Sequence, residues 1–219
     1  MLSYMSPQWF NGYDVVLELL FAVITIIVAL FAYRTYKTTN LVYSKYLSLA
    51  FMFIGFSYIV QSVINFLILT NLNQSVCGFM KINSIAYFNT IAMYVHMIFF
   101  TVGLVLLAYM TFKIEKKVIL FLLLALSFIV LFFGSNSLYM FYLLSSIYLM
   151  IVSLYFVKNY LKNRKFTTMM IAIAFLFLLF GSIHFLFSVN HQLFYVIGHL
   201  LEFVAYVLIL INLIMVRKK

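Results

Sequence analysis

Charged residues and proline are scarce in this chain. Only 8% of the 219 residues are charged, 67% are hydrophobic, and there is a single proline. Soluble domains are about half apolar and about one quarter charged. This composition excludes an ordinary soluble domain and indicates an integral membrane protein. The length fits one domain that covers residues 1–219.

Several well-known chemistries lack the residues that they need. The one cysteine, Cys77, excludes an intrachain disulfide, and no CxxCH haem-attachment motif is present. The sequence contains no HExxH, GxSxG or P-loop motif. Its last apolar run has no lysine for a retinal Schiff base, and no arginine or lysine lies at membrane depth for a voltage sensor. The lack of an intramembrane proline disfavours transporters built on broken helices.

Long apolar runs dominate the chain instead. A helix needs about 17–25 mainly apolar residues to span a bilayer, and runs without alternation disfavour a β-barrel. We therefore predict an all-α bundle of seven transmembrane helices, with short connections that make successive helices antiparallel neighbours. The predicted helices cover residues 14–34, 46–70, 85–109, 117–134, 138–157, 166–188 and 192–216.

The basic residues are distributed unevenly between the two ends of this bundle. With seven spans, every lysine and arginine except Lys81 falls on one side of the membrane. The positive-inside rule makes that side cytoplasmic, so the N-terminus lies outside and the C-terminus in the cytoplasm. Trp9, Phe10 and Tyr13 mark the outer boundary, where amphipathic rings favour the headgroup zone. The net charge of +10 thus reflects topology and contact with anionic lipids rather than nucleic-acid binding.

Ionisable side chains within the apolar runs are few, and most lie in the predicted outer half of the membrane. At about 1.5 Å per residue, Glu18 and His184 lie roughly 6 Å below the outer boundary, and His199 and Glu202 roughly 10–15 Å below it. His96 lies near mid-depth. A charge that faces lipid near mid-bilayer costs about 2.5–3.5 kcal/mol. We therefore expect these five side chains to face inward and to converge.

Other polar residues have simpler interpretations. We interpret Gln61, Asn65 and Asn89 as helix-packing residues, since an interhelical hydrogen bond contributes about 0.6 kcal/mol on average. His191 falls in a turn, where we expect it to be solvated. Asp14 begins the first helix and complements the positive end of its dipole.

Histidine and glutamate at this depth fit several kinds of binding. A b-type haem needs two axial imidazoles on facing helices, which His96 with His184 or His199 could supply. A transition metal such as Zn, Fe or Cu suits imidazole and carboxylate ligands. The candidate metal ligands are Glu18, His184, His199 and Glu202. The same groups could also carry protons or bind a small ligand in a cavity open to the outside.

Three functions remain open, and the sequence identifies no catalytic residue. The favoured hypothesis is a multi-pass protein of the cell membrane, either a subunit of a larger assembly or a sensory module, that binds haem b, a metal or a small ligand. The second is a metal-dependent membrane enzyme that acts on lipid or on an outer-face substrate. The third is a structural scaffold subunit of a membrane complex. In general layout the chain resembles the seven-helix input regions attached to some microbial signalling proteins.

Overall fold

The structure, a computed structural model, describes residues 7–10, 12–73, 82–112, 116–188 and 191–217. These residues form a short 3-10 turn at Gln8–Phe10 and seven α-helices. The helices are α1 (Tyr13–Thr39), α2 (Val42–Asn73), α3 (Ile82–Phe112), α4 (Lys117–Phe133), α5 (Ser137–Asn163), α6 (Phe166–Ser188) and α7 (Gln192–Arg217). The predicted all-α bundle of seven helices is confirmed. Cys77 and Lys81 lie outside the described residues, and the single-domain organisation stays a prediction.

Four helices extend by three or more residues beyond the predicted bounds at the end of the bundle that carries the basic residues. These are α1, α2, α3 and α5, and α5 continues to Asn163 rather than to residue 157. An apolar run ends at the membrane boundary, whereas the hydrogen bonds of a helix continue into the headgroup layer. α1 and α5 end where Asn40 and Arg164 adopt the left-handed conformation, with φ of 53° and 48°. Hydropathy therefore locates the membrane rather than the helix ends.

The fourth helix is the shortest of the seven. In the part of the chain that the structure describes, the other six are long and apolar enough to cross a membrane. α4 has 17 residues, which is the lower end of the range of about 17–25 for a spanning helix. Its side chains are also poorly covered by protein, since Phe121 and Phe133 are 73% and 85% exposed. In a bilayer these side chains face lipid.

Six helices form a closed ring, and α4 lies outside it. Successive helices pack together from α1 to α3 and from α5 to α7, while contacts of α3 with α5 and of α1 with α7 close the ring. α4 packs against α3 and α5. The core fills the ring with large buried side chains such as Phe21, Leu104, Leu107 and Tyr206. Polar residues on six different helices can therefore meet in one interior.

Small residues and hydroxyl groups allow the helices to approach one another closely. Ser48 Oγ on α2 donates a hydrogen bond to the Ala29 carbonyl oxygen on α1 at 2.8 Å. A Cβ atom added at Gly103 on α3 would lie only 2.8 Å from the Ala50 carbonyl oxygen on α2. Because lipid is as apolar as the side chains, close packing and interhelical hydrogen bonds stabilise the bundle more than the hydrophobic effect does.

The bundle has an outer half and an inner half. The outer half contains the beginning of α1, and the inner half contains its end at Thr39. These names follow the orientation that the basic residues predict, and that orientation stays a prediction.

Candidate functional site: a cavity in the outer half

A cavity lies inside the helix ring in the outer half, and we call it the outer cavity. Its volume is ≈ 80 Å³, which leaves room for at least two or three water molecules at about 30 Å³ each. Every helix of the ring contributes to its wall. Its polar lining residues are Glu18, Tyr58, Gln61, His96, Tyr142, Ser145, Ser182, Tyr195, His199 and Glu202.

The Glu202 carboxylate is bound by a chain of tyrosine hydroxyl groups. Tyr58 Oη donates to Glu202 Oε2 at 3.3 Å, and Tyr206 Oη donates to Tyr58 Oη at 3.2 Å. Glu202 and Tyr206 are four residues apart on α7 and therefore share a helical face, while Tyr58 reaches them from α2. Both hydroxyl groups are neutral, so Tyr58 orients the carboxylate without balancing its charge.

Glu18 enters the cavity from α1 and is held by an amide from α2. Asn65 Nδ2 lies 2.9 and 3.0 Å from the two Glu18 carboxylate oxygens, and Glu18 is only 2% exposed. Asn65 therefore does more than pack helices, because it orients an ionisable group. Asp14, one turn earlier, accepts backbone hydrogen bonds from Gly12 and Val15 at the start of the helix.

The His199 imidazole is enclosed by four aromatic rings. Its ring centroid lies 4.5 Å from that of Tyr195 and 5.0 Å from that of Phe185. The rings of Phe10 and Phe21 lie at 6.0 and 6.3 Å. His199 is 5% exposed, and neither of its ring nitrogens has a hydrogen-bond partner among the described residues. The imidazole is thus a buried polar group that the described part of the chain does not satisfy.

His199 and Glu202, three residues apart on α7, do not form a direct hydrogen bond. His199 Nδ1 lies 4.0 Å from Glu202 Oε2, and a hydrogen bond between such atoms has a length of about 2.7–3.2 Å. An unsatisfied buried polar group costs about 1–3 kcal/mol. Native proteins keep such groups where water, an ion or a ligand completes the site. The two side chains therefore frame a position that a third species can occupy.

His96 lines the same cavity, but its environment differs from that of His199. Its Nδ1 lies 3.0 Å from the Ser57 carbonyl oxygen, which assigns the proton of the neutral ring to Nδ1. The centroid of its ring lies 5.6 Å from that of the Phe100 ring and 5.7 Å from that of the Phe141 ring. One backbone carbonyl thus satisfies this imidazole, as a structural histidine requires.

The structure places His184 apart from the other predicted site residues. Its Nδ1 lies 2.7 Å from the Phe180 carbonyl oxygen one turn earlier on α6, and its ring packs 5.7 Å from Phe194. His184 does not line the outer cavity. The other four predicted side chains, Glu18, His96, His199 and Glu202, do line it. His191 is exposed next to the start of α7, as predicted.

A metal site of three protein ligands is not formed by the described residues. They include no group of three or more His, Cys, Asp or Glu side chains that could hold a metal ion. His199 and Glu202 could supply two of the ligands of a metal ion. The predicted metal and haem ligands stay predictions. Sites for drug-sized ligands have volumes of about 300–1,000 Å³, against ≈ 80 Å³ here. The arrangement suits a small species.

Phe10 contributes to the site in a way that the sequence does not reveal. Its position next to the first apolar run predicts a boundary residue, and Trp9 and Tyr13 are indeed 63% and 65% exposed. Phe10 itself is 5% exposed and packs over His199, because the turn Gln8–Phe10 directs it into the bundle. It closes the outer side of the imidazole.

Tyr58 is a second residue of the outer cavity that the sequence does not single out. It precedes Gln61 by three residues and Asn65 by seven, so all three lie on one face of α2. This stripe was a usable signal. The hydroxyl chain from Tyr206 through Tyr58 to Glu202 also requires the contact across the ring, which no pattern within α2 predicts.

Comparison of the chain with protein-family models, with curated proteins and with solved structures found no match. The functional proposal therefore rests on the geometry of the outer cavity.

Proposed function

We propose that this multi-pass membrane protein binds a small cation in the outer cavity and acts as a sensory module or as a subunit of a larger membrane assembly. The observation that carries the proposal is the His199 imidazole beside the Glu202 carboxylate, since its two nitrogens have no hydrogen-bond partner in the part of the chain that the structure describes. A cation of a few heavy atoms between the two side chains would bind the carboxylate. Where it carries N–H groups, it would also donate to the free imidazole nitrogen.

The charges in the cavity support a cationic occupant. Glu18 and Glu202 both line it, and their partners Asn65 and Tyr58 are neutral. No lysine or arginine lines the cavity in the described part of the chain. A buried carboxylate without a counter-charge is strongly disfavoured. A bound cation, or protons taken up from the outside, would remove this penalty.

Aromatic walls add a second source of affinity for a cation. The rings of Tyr58, Phe100, Phe141, Phe185 and Tyr195 line the cavity. A cation within about 6 Å of such a ring gains about 0.5–2 kcal/mol, and more when water is excluded. Aromatic faces with one or two carboxylates favour a small organic ammonium ion over a divalent metal, which prefers several hard ligands.

The predicted orientation relates the outer cavity to one side of the membrane. With the N-terminus outside, the outer cavity lies beneath the outer surface of the cell membrane, with Phe10 between His199 and that surface. The basic residues at the opposite end then face the cytoplasm and its anionic lipids. A binding event on one side would be read on the other side through the helices of the ring.

Ligand-dependent stabilisation of the purified full-length protein in lipid nanodiscs tests the proposal. The probes are methylammonium, tetramethylammonium, sodium, zinc and haemin, each titrated separately. A ligand that binds only the folded protein raises its stability by about 2.7 kcal/mol at 100 times its dissociation constant. We expect methylammonium to raise the unfolding midpoint, with sodium much weaker.

The variants Glu202→Gln and Glu18→Gln remove one charge each and keep the size of the side chain. We expect Glu202→Gln to weaken methylammonium binding at least tenfold, which corresponds to about 1.4 kcal/mol. Asp14→Asn is the matched control, because Asp14 is also a buried carboxylate at the start of α1 but does not line the cavity. Equal losses in the control and in Glu202→Gln would argue against the site.

Two other results would replace the proposal with one of the original hypotheses. Stoichiometric zinc that disappears in His199→Gln would identify a metal site. A Soret band with haemin that depends on His96 and His199 would identify a haem site. No effect of any probe on the wild-type protein would leave the scaffold hypothesis.

A further inference from the structure

A second cavity lies in the inner half of the bundle, and we call it the inner cavity. Its volume is ≈ 230 Å³, and it shares no lining residue with the outer cavity. An apolar cavity of about 150 Å³ already holds a benzene molecule. The inner cavity is therefore large enough for a segment of hydrocarbon chain. Its deeper wall consists of apolar side chains, including Val28, Phe51, Phe175 and Ile209.

The cavity extends over about two helical turns along the helix axes. On α1 its lining runs from Val28 to Thr35, on α2 from Ser44 to Phe51, and on α7 from Ile209 to Val216. Each stretch covers about two helical turns, which is roughly 10 Å at 1.5 Å per residue. Its extent along the spanning helices therefore follows the direction of an acyl chain in the adjoining leaflet.

The polar lining groups lie towards the end of this cavity that is nearest to the helix ends. Thr35 lies four residues before the end of α1 and Ser44 two residues after the start of α2, while Asn212 lies about one turn deeper on α7 than the lining residue Val216. Asn212 is 5% exposed, and its Oδ1 has no hydrogen-bond partner among the described residues. The Asn212 side chain lines the cavity, so its Nδ2 group can donate a hydrogen bond to an occupant.

Cationic side chains lie at the same level of the helices as this polar end. Arg34 precedes Thr35 on α1, Lys45 follows Ser44 on α2, and both are exposed. Lys37, two residues after Thr35, lies on the opposite side of α1. The ammonium groups of Lys37 and Lys45 lie 5.3 and 5.9 Å from tyrosine ring centroids, at the level where tyrosines favour the headgroup layer. The carboxylates of the described residues lie elsewhere, since none lines the inner cavity.

We propose that the inner cavity binds one acyl chain of an anionic phospholipid from the inner leaflet. The chain lies against Phe51, Phe175 and Ile209, the ester carbonyl accepts a hydrogen bond from the Asn212 amide, and the phosphate contacts Arg34 and Lys45. The chain moves from one apolar medium to another, so the hydrophobic effect contributes little. Affinity therefore depends on headgroup charge and on the amide, and only weakly on chain type.

Native mass spectrometry of the full-length protein tests this proposal. The protein is released from nanodiscs that contain equal amounts of phosphatidylglycerol and phosphatidylcholine with identical acyl chains. We expect one phosphatidylglycerol per protein to be retained, at least fivefold over phosphatidylcholine. The double variant Arg34→Gln/Lys45→Gln should abolish this preference, because each basic residue near the surface contributes about a factor of five and the two together about 25-fold. Equal retention of the two lipids by the wild-type protein would overturn the proposal.

Lys116→Gln/Lys117→Gln is the matched control, because it removes the same charge at the start of α4, which does not line the cavity. We expect it to change the lipid preference less than twofold. An equal loss in both double variants would mean that the basic surface attracts lipid generally, without a site. Asn212→Leu should reduce retention of phosphatidylglycerol. Unchanged retention would show that the Asn212 amide does not contact the lipid.

A measurement without any variant locates the chain itself. Phosphatidylglycerol with a photoreactive diazirine in its acyl chain is irradiated in the nanodisc, and the labelled residues are mapped by mass spectrometry. We expect labels on Phe51, Phe175 or Ile209. Labels restricted to lipid-facing side chains such as Ile211 and Ile214, which are 41% and 48% exposed, would overturn the proposal. A lipid-free dimer in the mass spectrum would do so as well, since a second copy would then cover this region.

Discussion

The variant His199→Phe should stabilise the protein while it abolishes cation binding. His199 is buried among four aromatic rings, so a phenyl ring matches its surroundings, and the adjacent outer cavity can accept the slightly larger side chain. The replacement removes two ring nitrogens that have no partner in the described structure. Functional sites often reduce stability in this way, because their groups are arranged for a ligand rather than for the fold.

The expected gain follows from the penalty for an unsatisfied buried polar group, which is about 1–3 kcal/mol. For a chain of this length, 1 kcal/mol shifts the unfolding midpoint by about 2–4 °C. The midpoint of His199→Phe should therefore rise by several degrees above that of the wild-type protein without ligand. With methylammonium present the order should reverse or the gap should narrow, because only the wild-type protein gains from the ligand.

The comparison variant is His96→Phe, in the same cavity. His96 Nδ1 bonds to the Ser57 carbonyl oxygen at 3.0 Å, so this replacement loses a hydrogen bond and should lower stability by about 0.6 kcal/mol. Thermal unfolding of both variants in identical nanodiscs, followed by circular dichroism, measures the two signs. A midpoint for His199→Phe below that of the wild-type protein, with His199→Gln unchanged, would refute the reasoning. It would mean that bound water already satisfies the imidazole.

Three further predictions concern the packing and the topology. Asn65→Leu leaves the buried Glu18 carboxylate without its amide and should lower stability by about 1.5–3 kcal/mol. Adding Glu18→Leu should restore most of this lost stability in thermal unfolding. If it restores none, Asn65 does not stabilise the fold through Glu18. Gly103→Ala forces a Cβ to within 2.8 Å of the Ala50 carbonyl oxygen and should destabilise by about 1–3 kcal/mol, whereas an unchanged midpoint would show that α2 and α3 separate easily. Cys77 should react with an impermeant thiol reagent added from outside intact cells, and reaction only after permeabilisation would invert the orientation.

The ionisable residues show how far sequence reasoning reaches. Depth along a helix follows from counting residues, so the common level of Glu18, His199 and Glu202 could be predicted. Their lining of one cavity agrees with that prediction. Counting residues also predicts that His184 joins them, but its side chain contacts its own helix and Phe194. Depth is a local property, whereas the direction of a side chain around the axis has meaning only once the neighbouring helices are known.

The sequence by itself determined the membrane class, the number of helices and their approximate bounds, because these depend on the length and hydropathy of local segments. The distribution of basic residues likewise predicts the orientation without any structure. Only the tertiary structure decided that α3 packs on α5 and leaves α4 outside the ring, that Phe10 folds over His199, and that Tyr58 links Glu202 to Tyr206. These contacts join residues distant in the chain, and many arrangements of seven apolar helices satisfy the same hydropathy pattern. The choice among them depends on close packing at residues such as Gly103 and on the pairing of buried polar groups.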